Sequence, residues 1–310
     1  MNVVTQSYEQ SAKYSVPEKD FGQVAGPYLY LAPLILLMGL FTFWPLVQTA
    51  YLSVTWWNLN PDMPTRFVGA ANYLDVVDSE LFRAALWNTI VTIAVAIPLK
   101  VLLPVPVAVF LWSLGRRGEI YRTILFLPTL ISFVAVSVAW LWILSPLGGY
   151  LGIVMGQMGI RLPPLLSRAE TALGTVIGIA TWKVFGFNVL LYLAGLTRIP
   201  HRLIDAMRVD GAKDGVILRR LIWPLLGPTT LFVLISTVIF TMQQVFTPID
   251  VLTKGGPSNS TTNLFYVTYQ YTFLNFSVGQ GAAATVILFI FLMVVALLKF
   301  RLFDRLVHYR

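Results

Sequence analysis

The residues of this chain that could do chemistry are of two kinds. One is a compact charged run, Asp205-Ala206-Met207-Arg208-Val209-Asp210-Gly211-Ala212, which continues through Lys213, Asp214, Arg219 and Arg220 to Pro224 and Pro228. Asp205, Asp210 and Asp214 have the side chains of acid catalysis or metal binding. Arg208 and Lys213 are interleaved with them, and that mixture suits a solvated or docking helix better. The other kind is a scatter of polar groups inside apolar stretches: Lys183 with Trp182, Phe185 and Asn188, then Thr241, Gln243, Gln244 and Thr247. Aromatic faces beside amides and hydroxyls suit sugars, and an ammonium suits a phosphate or carboxylate. The same groups could instead bridge neighbouring helices or stabilise a kink. Lys100 is equally open, because Pro98, Pro104 and Pro106 could hold it in a wet kink.

Other chemistry is sparse. His201 and His308 are the only histidines and lie at helix borders, where a solvated role is expected rather than metal ligation. The sequence has no His-Glu-x-x-His zinc motif, no Gly-x-Ser-x-Gly nucleophile turn and no Gly-x-x-x-x-Gly-Lys-Ser/Thr phosphate loop. With no cysteine, disulfide and thiolate chemistry are excluded. The chain is therefore expected not to be an enzyme, to carry no cofactor and to bind no metal.

Composition supplies the solvent. Of 310 residues 57% are hydrophobic and only 12% charged, with a mean hydropathy of +0.74. Such a chain belongs in a bilayer. A hydrocarbon core roughly 30 Å thick needs about 20 apolar residues per helix. Stretches at about 27–56, 83–113, 121–145, 171–197, 222–247 and 279–300 meet that need. They should be helices, since a helix satisfies its own backbone bonds within lipid. The fold class expected is an all-α integral membrane protein with six transmembrane helices. The first apolar run is too long, and too far behind the polar residues 1–26, to read as a signal peptide.

Basic residues orient the bundle. With both ends on one side, that side carries Lys13 and Lys19, then Arg116, Arg117 and Arg122, then the charged run, and finally Lys299, Arg301, Arg305 and Arg310. The opposite side and its borders hold Arg66, Arg83, Arg161, Arg168 and Lys254. The positive-inside rule then places both termini in the cytosol. Net charge is +8, but its spread from loop to loop argues against nucleic acid as a partner. The connection 57–82, with Pro61, Pro64, Gly69, Phe67 and Tyr73, reads as folded. Loop 146–170 carries Gly148-Gly149 and Pro163-Pro164, and loop 248–278 carries Gly255-Gly256-Pro257 before Ser258-Asn259-Ser260. Prolines 33, 45, 98, 104, 106 and 128 predict kinks.

In the charged run, Pro200 can start a helix and Gly211 can end one. Leu203, Ala206, Met207 and Asp210 are spaced to share one face, with Arg202, Asp205 and Val209 on another. A second short helix from Ala212 through Arg220 would then enter the membrane near Pro224. Periodicity alone also fits an interfacial helix lying at lipid headgroups.

The string itself resembles the signature loop of permease subunits of binding-protein-dependent ABC importers: Asp205-Ala206-Met207, Asp210-Gly211-Ala212, then Leu218 and Pro224. Phe67-Val68-Gly69 with Asn72-Tyr73, Trp87-Asn88-Thr89, Leu127-Pro128, Trp182-Lys183, Ile199-Pro200 and Gly255-Gly256-Pro257 are similar to the carbohydrate and glycerol-3-phosphate branch of that family. The resemblance covers roughly 27–308. It implies the type I importer permease fold: a cytosolic tail 1–26, a first transmembrane helix 27–56, an extracytoplasmic loop 57–82, a core 83–300 and a cytosolic tail 301–310. Within that core it implies a cytosolic coupling helix at about 200–212. Asp205, Ala206, Met207, Asp210, Gly211 and Ala212 would then couple to a separate ATPase. Two departures stand out: Asp205 is one methylene shorter than the usual Glu, and Met207 is bulkier than the usual small residue. Lys183, Phe185, Asn188, Thr241, Gln243, Gln244 and Thr247 would line part of the substrate path. Implied partners are a second homologous permease, two ATP-binding cassette subunits holding ATP and Mg, an extracytoplasmic solute-binding protein, membrane lipid and a small-molecule solute. The implied location is a bacterial cytoplasmic (inner) membrane, crossed several times. A secondary transporter or membrane-embedded enzyme working alone is the alternative. Inverted repeats and broken spans with ion ligands would mark a carrier, and neither is clear in the sequence.

Overall fold

A computed structural model describes residues 21–60 and 62–306. Most of the expected N-terminal tail with Lys13 and Lys19, Pro61, and the last residues with His308 and Arg310 lie outside the described residues. The chain divides after Tyr51 into two compact units. In the first, the helix Phe21–Met38 passes through a π turn at Gly39–Phe43 into the helix Trp44–Ser53, which ends two residues beyond the division. The elements from Thr55 onward belong to the second unit.

Five described helices are long and apolar enough to cross a membrane: Tyr30–Ser53, Glu80–Ser113, Ala169–Leu196, Gly227–Thr253 and Val278–Leu297. The third expected span is different. It breaks into Gly115–Leu130 and Phe133–Ile143, bent by 96°. Ile131 and Ser132 are extended at the break, and the Ser132 hydroxyl caps the new helix by accepting from Ala135 N–H at 3.2 Å. Counted as one crossing, the pair brings the total to the six expected. The span expected at 222–247 is also shifted, starting at Gly227 and running on to Thr253.

Prolines explain much of the local irregularity. The π turns Gly39–Phe43, Pro98–Leu102 and Leu218–Ile222 each end two residues before a proline: Pro45, Pro104 and Pro224. A proline cannot donate to the carbonyl four residues back, and its ring crowds that carbonyl. Widening the preceding turn by one residue moves the carbonyl aside and lets the N–H before the proline reach one residue further. Trp44 accordingly donates to Gly39 O, Leu103 to Pro98 O and Trp223 to Leu218 O. At Pro45 and Pro104 the predicted kinks take this form.

The connections are more structured than loops. Thr55–Trp56 pairs antiparallel with Arg66–Phe67, and Asn72 of the helix Ala71–Asp78 donates to Ser53 O and Thr55 O at 2.9 and 2.8 Å. The expected surface loop 248–278 instead packs inward. Thr261, Thr262 and Asn263 are fully buried, and Asn263 caps a helix at Leu264–Tyr269. Asn88 holds this stretch by donating to Asn259 O and Thr262 O, both at 2.9 Å, while Thr89 accepts from Leu264 N–H.

Packing is closest around the helix Ala169–Leu196. A Cβ at Gly186 would overlap the Leu125 carbonyl, and one at Gly195 would meet Thr229 Oγ1 at 2.6 Å. Small residues let helix backbones approach in this way where lipid offers no hydrophobic drive. Gly178, about two turns before Gly186, has open space at its Cβ. Gly186→Ala should therefore lower stability by about 1–3 kcal/mol, the usual range for overpacking, while Gly178→Ala should be neutral. Thermal melting followed by fluorescence-detected size exclusion of the tagged chain checks the contrast.

Candidate functional site

The charged run folds as a helix, His201–Val209, closed by a left-handed turn. Gly211 sits at φ +77°, a region that side-chain-bearing residues reach only with strain. Ala212 N–H reaches back to Met207 O at 2.9 Å, and Gly211 N–H donates to Arg208 O at 3.0 Å. The six-to-one bond ties off carbonyls that the helix end would leave unpaired. The expected second helix, Ala212 through Arg220, is shorter: α-helical over Asp214–Ile217, then the π turn ahead of Pro224.

One side of this segment is anchored and the other is free. Ile204 and Ile217 are buried in a core cluster with Val105, Leu111, Leu196, Ile222 and Leu226, and Met207 and Ala212 pack against the same cluster. The face expected to unite Leu203, Ala206, Met207 and Asp210 is thus divided: Met207 turns inward, while Leu203, Ala206 and Asp210 are exposed with Asp205 and Val209. Burying Ile204 and Met207 together requires this rotation. Val209 is 88% exposed, a bare apolar side chain amid charges. The Arg208–Asp214 pair, 3.7 Å apart and open to solvent, adds little stability. Trp112 stacks on His201 with ring centroids 5.5 Å apart, joining the helix start to the end of Glu80–Ser113.

The intramembrane residues separate into two groups. Lys183 lies at the break in the third span. Its ammonium donates to Thr129 O at 3.2 Å and sits 4.2 Å from the Phe133 ring centre, while Thr129 Oγ1 donates to Lys183 O at 2.9 Å. Lys183 thus satisfies a carbonyl at the end of Gly115–Leu130, beyond which the chain turns by 96°. The second group centres on Lys100, whose ammonium donates to Gln244 Oε1 at 2.7 Å and Thr241 Oγ1 at 3.2 Å. Asn188 donates to Lys100 O at 2.8 Å. That carbonyl cannot receive its ordinary helical bond, because Pro104 stands four residues on.

Asn188, Thr241 and Gln244 therefore converge. Gln243 is exposed elsewhere, Thr247 is half-buried, and Phe185 packs into the core cluster beside the charged segment. Thr241 and Gln244 lie two to three turns inside the helix end at Thr253 rather than near it. Sequence reasoning left Lys100 open and gave Asn88 and Thr129 no function. The prolines flanking Lys100 were the available signal, since each announces a carbonyl in need of a partner.

A cavity of about 130 Å³ adjoins Lys100, Asn188 and Gln244, lined also by Thr237, Phe232 and Phe240. Among the described residues no cluster of three His, Cys, Asp or Glu side chains could hold a metal. Several membrane-crossing helices, an interrupted one among them, with polar groups inside the bundle and an anchored amphipathic segment at one end, define a membrane transport protein. The chain belongs to the family of binding-protein-dependent transport system inner membrane components, whose profile matches residues 70–309.

Among its relatives, the sn-glycerol-3-phosphate transport system permease protein UgpA of Agrobacterium fabrum is 31% identical over 286 residues, covering 91% of this chain and 96% of the relative. UgpA of Brucella abortus is 32% identical over 290 residues with the same coverage. In fold the chain is similar to a bacterial ABC transporter involved in the import of the acidic polysaccharide alginate, with a TM-score of 0.81 and 22% identity over 93% of this chain and 98% of that one. A second structure of the alginate transporter, in complex with an alginate pentasaccharide-bound periplasmic protein, gives a TM-score of 0.80 and 21% identity over 92% and 97% of the two chains.

Lys183→Met should unsettle the bend by removing its bond to Thr129 O, at about 1–3 kcal/mol. Expected is a lower melting temperature with unchanged solute KM. A raised KM with unchanged melting would instead place Lys183 against solute.

Proposed function

We propose that this chain is one permease subunit of an ATP-driven importer and forms half of a translocation path for a sugar, oligosaccharide or glycerol-3-phosphate-like solute. The observation that carries this reading is the divided segment His201–Gly211, anchored through Ile204 and Met207 and presenting Asp205, Ala206, Val209 and Asp210 outward. An ATPase dimer seated on that face can move the bundle as a rigid body, because the anchor transmits displacement to Glu80–Ser113 and Ala169–Leu196. ATP shifts the equilibrium by its unequal affinity for the two states. Family membership favours this arrangement over a self-sufficient carrier or a membrane-embedded enzyme.

Placed in a bacterial cytoplasmic membrane, the segment and both termini face the cytosol, as the basic residues favour. The partners are a second, homologous permease, two ATP-binding cassette subunits holding ATP and Mg, and an extracytoplasmic solute-binding protein. The periplasmic protein in the alginate ABC transporter complex supports the binding-protein and ATP-binding partners of this set. Met207, bulkier than the usual residue, is accommodated by this chain's own core, so the departure does not fall on the docking face. Asp205 does. Asn188, Thr241 and Gln244 belong to the solute path, whereas Lys183 and Phe185 hold the bundle in shape.

Asp205→Arg combined with Gly211→Pro should abolish solute-stimulated ATPase activity in the assembled importer. Val209→Asp, which alters only an exposed side chain, should weaken ATPase association about tenfold or more, the effect of losing a desolvated apolar anchor. Co-purification of the ATPase and its stimulation by loaded binding protein check both. Undiminished stimulation in the two variants would remove the coupling assignment.

A further inference from the structure

We infer that Lys100 is an anion-recognition group within the membrane, and that the solute handled by this chain carries a carboxylate or phosphate. The inference rests on the permease reading and adds a substrate class and a residue to it. Lys100 is 1% exposed, yet its ammonium faces only two neutral oxygens, Thr241 Oγ1 and Gln244 Oε1. An ammonium has three donors, so one remains beyond these two bonds.

No compensating carboxylate is at hand. The sequence has no Asp or Glu between Glu80 and Glu119, between Glu170 and Asp205, or between Asp214 and Asp250, which covers the helices around Lys100. Among the described residues the only ion pair is Arg208–Asp214, on the charged segment. Buried charges are normally paired, and an intramembrane one without a counterion marks a ligand or ion pathway. Lys183 shows the contrast, for its charge is spent on a helix-end carbonyl and an aromatic face.

A cavity beside Lys100 has room for a small guest. Lys100, Asn188, Thr237 and Gln244 supply polar groups to a wall that is otherwise mostly apolar, with Phe187, Phe232 and Phe240 among the rest. Those three rings are each about half exposed, so the cavity opens at the surface of this chain between Ala169–Leu196 and Gly227–Thr253. Its volume of about 130 Å³ suits a headgroup-sized anionic group of the solute. Thr241 and Gln244 orient the ammonium, which then supplies a charge-assisted bond to the guest.

The test uses the assembled importer, purified through a tag on this chain from the cells that make it and reconstituted into proteoliposomes. ATP-dependent uptake of radiolabelled sn-glycerol-3-phosphate, galacturonate and galactose is measured. Expected are import of an anionic probe by the wild type and a KM raised about tenfold or more by Lys100→Met, as for loss of a hydrogen bond to a charged group. Lys100→Arg should restore most of the loss. Gln244→Glu, which gives the ammonium a counterion without removing it, should raise the same KM and decides the matter where Lys100→Met fails to assemble. A wild-type KM in Gln244→Glu, or in an assembled Lys100→Met, overturns the inference, as does import confined to galactose. Those results leave the permease reading intact. Absence of ATP-dependent uptake of every probe by the wild type counts against that reading itself.

Discussion

A backbone carbonyl without a hydrogen-bond partner is hard to sustain inside a bilayer, and this fold interrupts its helices repeatedly. Prolines at 45, 104 and 224, the 96° break after Leu130 and the buried stretch before Asn263 each leave main-chain groups that an unbroken helix would have paired. The structure answers with side chains reaching across the bundle. Asn188 takes Lys100 O, Lys183 takes Thr129 O, Asn88 takes Asn259 O and Thr262 O, and Arg122 takes Leu111 O and Gly115 O. Most of these bonds join separate elements. The polar inventory of the spans is therefore largely a set of fastenings, and only what is left over can serve a solute.

This division explains what the sequence could and could not reveal. Span number followed from apolar length, because the requirement is set by bilayer thickness and needs no knowledge of neighbours. Helix ends were less legible. The span expected to stop at 247 continues to Thr253, since the polar residue Asp250 is satisfied by the Tyr266 hydroxyl, with Ile249 and Leu252 buried on either side, and does not force an exit into water. The break in the third span was hidden for the same reason. Its extended residues Ile131 and Ser132 are ordinary in type, and the group that stabilises the turn, Lys183, lies 54 residues away from the carbonyl it caps.

The charged segment was legible as a helix with a glycine stop, and its orientation was not. Sequence spacing gave Met207 to the same face as Leu203 and Ala206. Rotation of a short amphipathic helix is decided by the deepest available anchor, and here Ile204 and Ile217 enter a cluster that already contains Leu196 and Leu226. Met207, flexible and unbranched, fills the adjoining space. The outward face then retains Asp205, Ala206, Val209 and Asp210, with Leu203 also exposed beside them. The coupling role proposed for this segment needs both properties. A helix held only by its loops would absorb a push, whereas one fixed into the core passes the push on.

Two buried lysines illustrate how the same residue type acquires different work. Lys183 and Lys100 are 4% and 1% exposed, and both lie in apolar helices beside amides and aromatics. Sequence context favoured Lys183, flanked by Trp182, Phe185 and Asn188, as the group that meets solute. In the structure Lys183 is turned onto a carbonyl at a helix end, and Asn188 points the other way, towards the Lys100 backbone. Lys100 owes its exposure to the cavity to the π turn that carries it. With Pro104 forcing Pro98–Leu102 into a wider coil, the main chain at Lys100 is held by Asn188 and its side chain is freed to cross to the helix Gly227–Thr253. The proline that weakens the span thus sets the direction of its buried cationic arm.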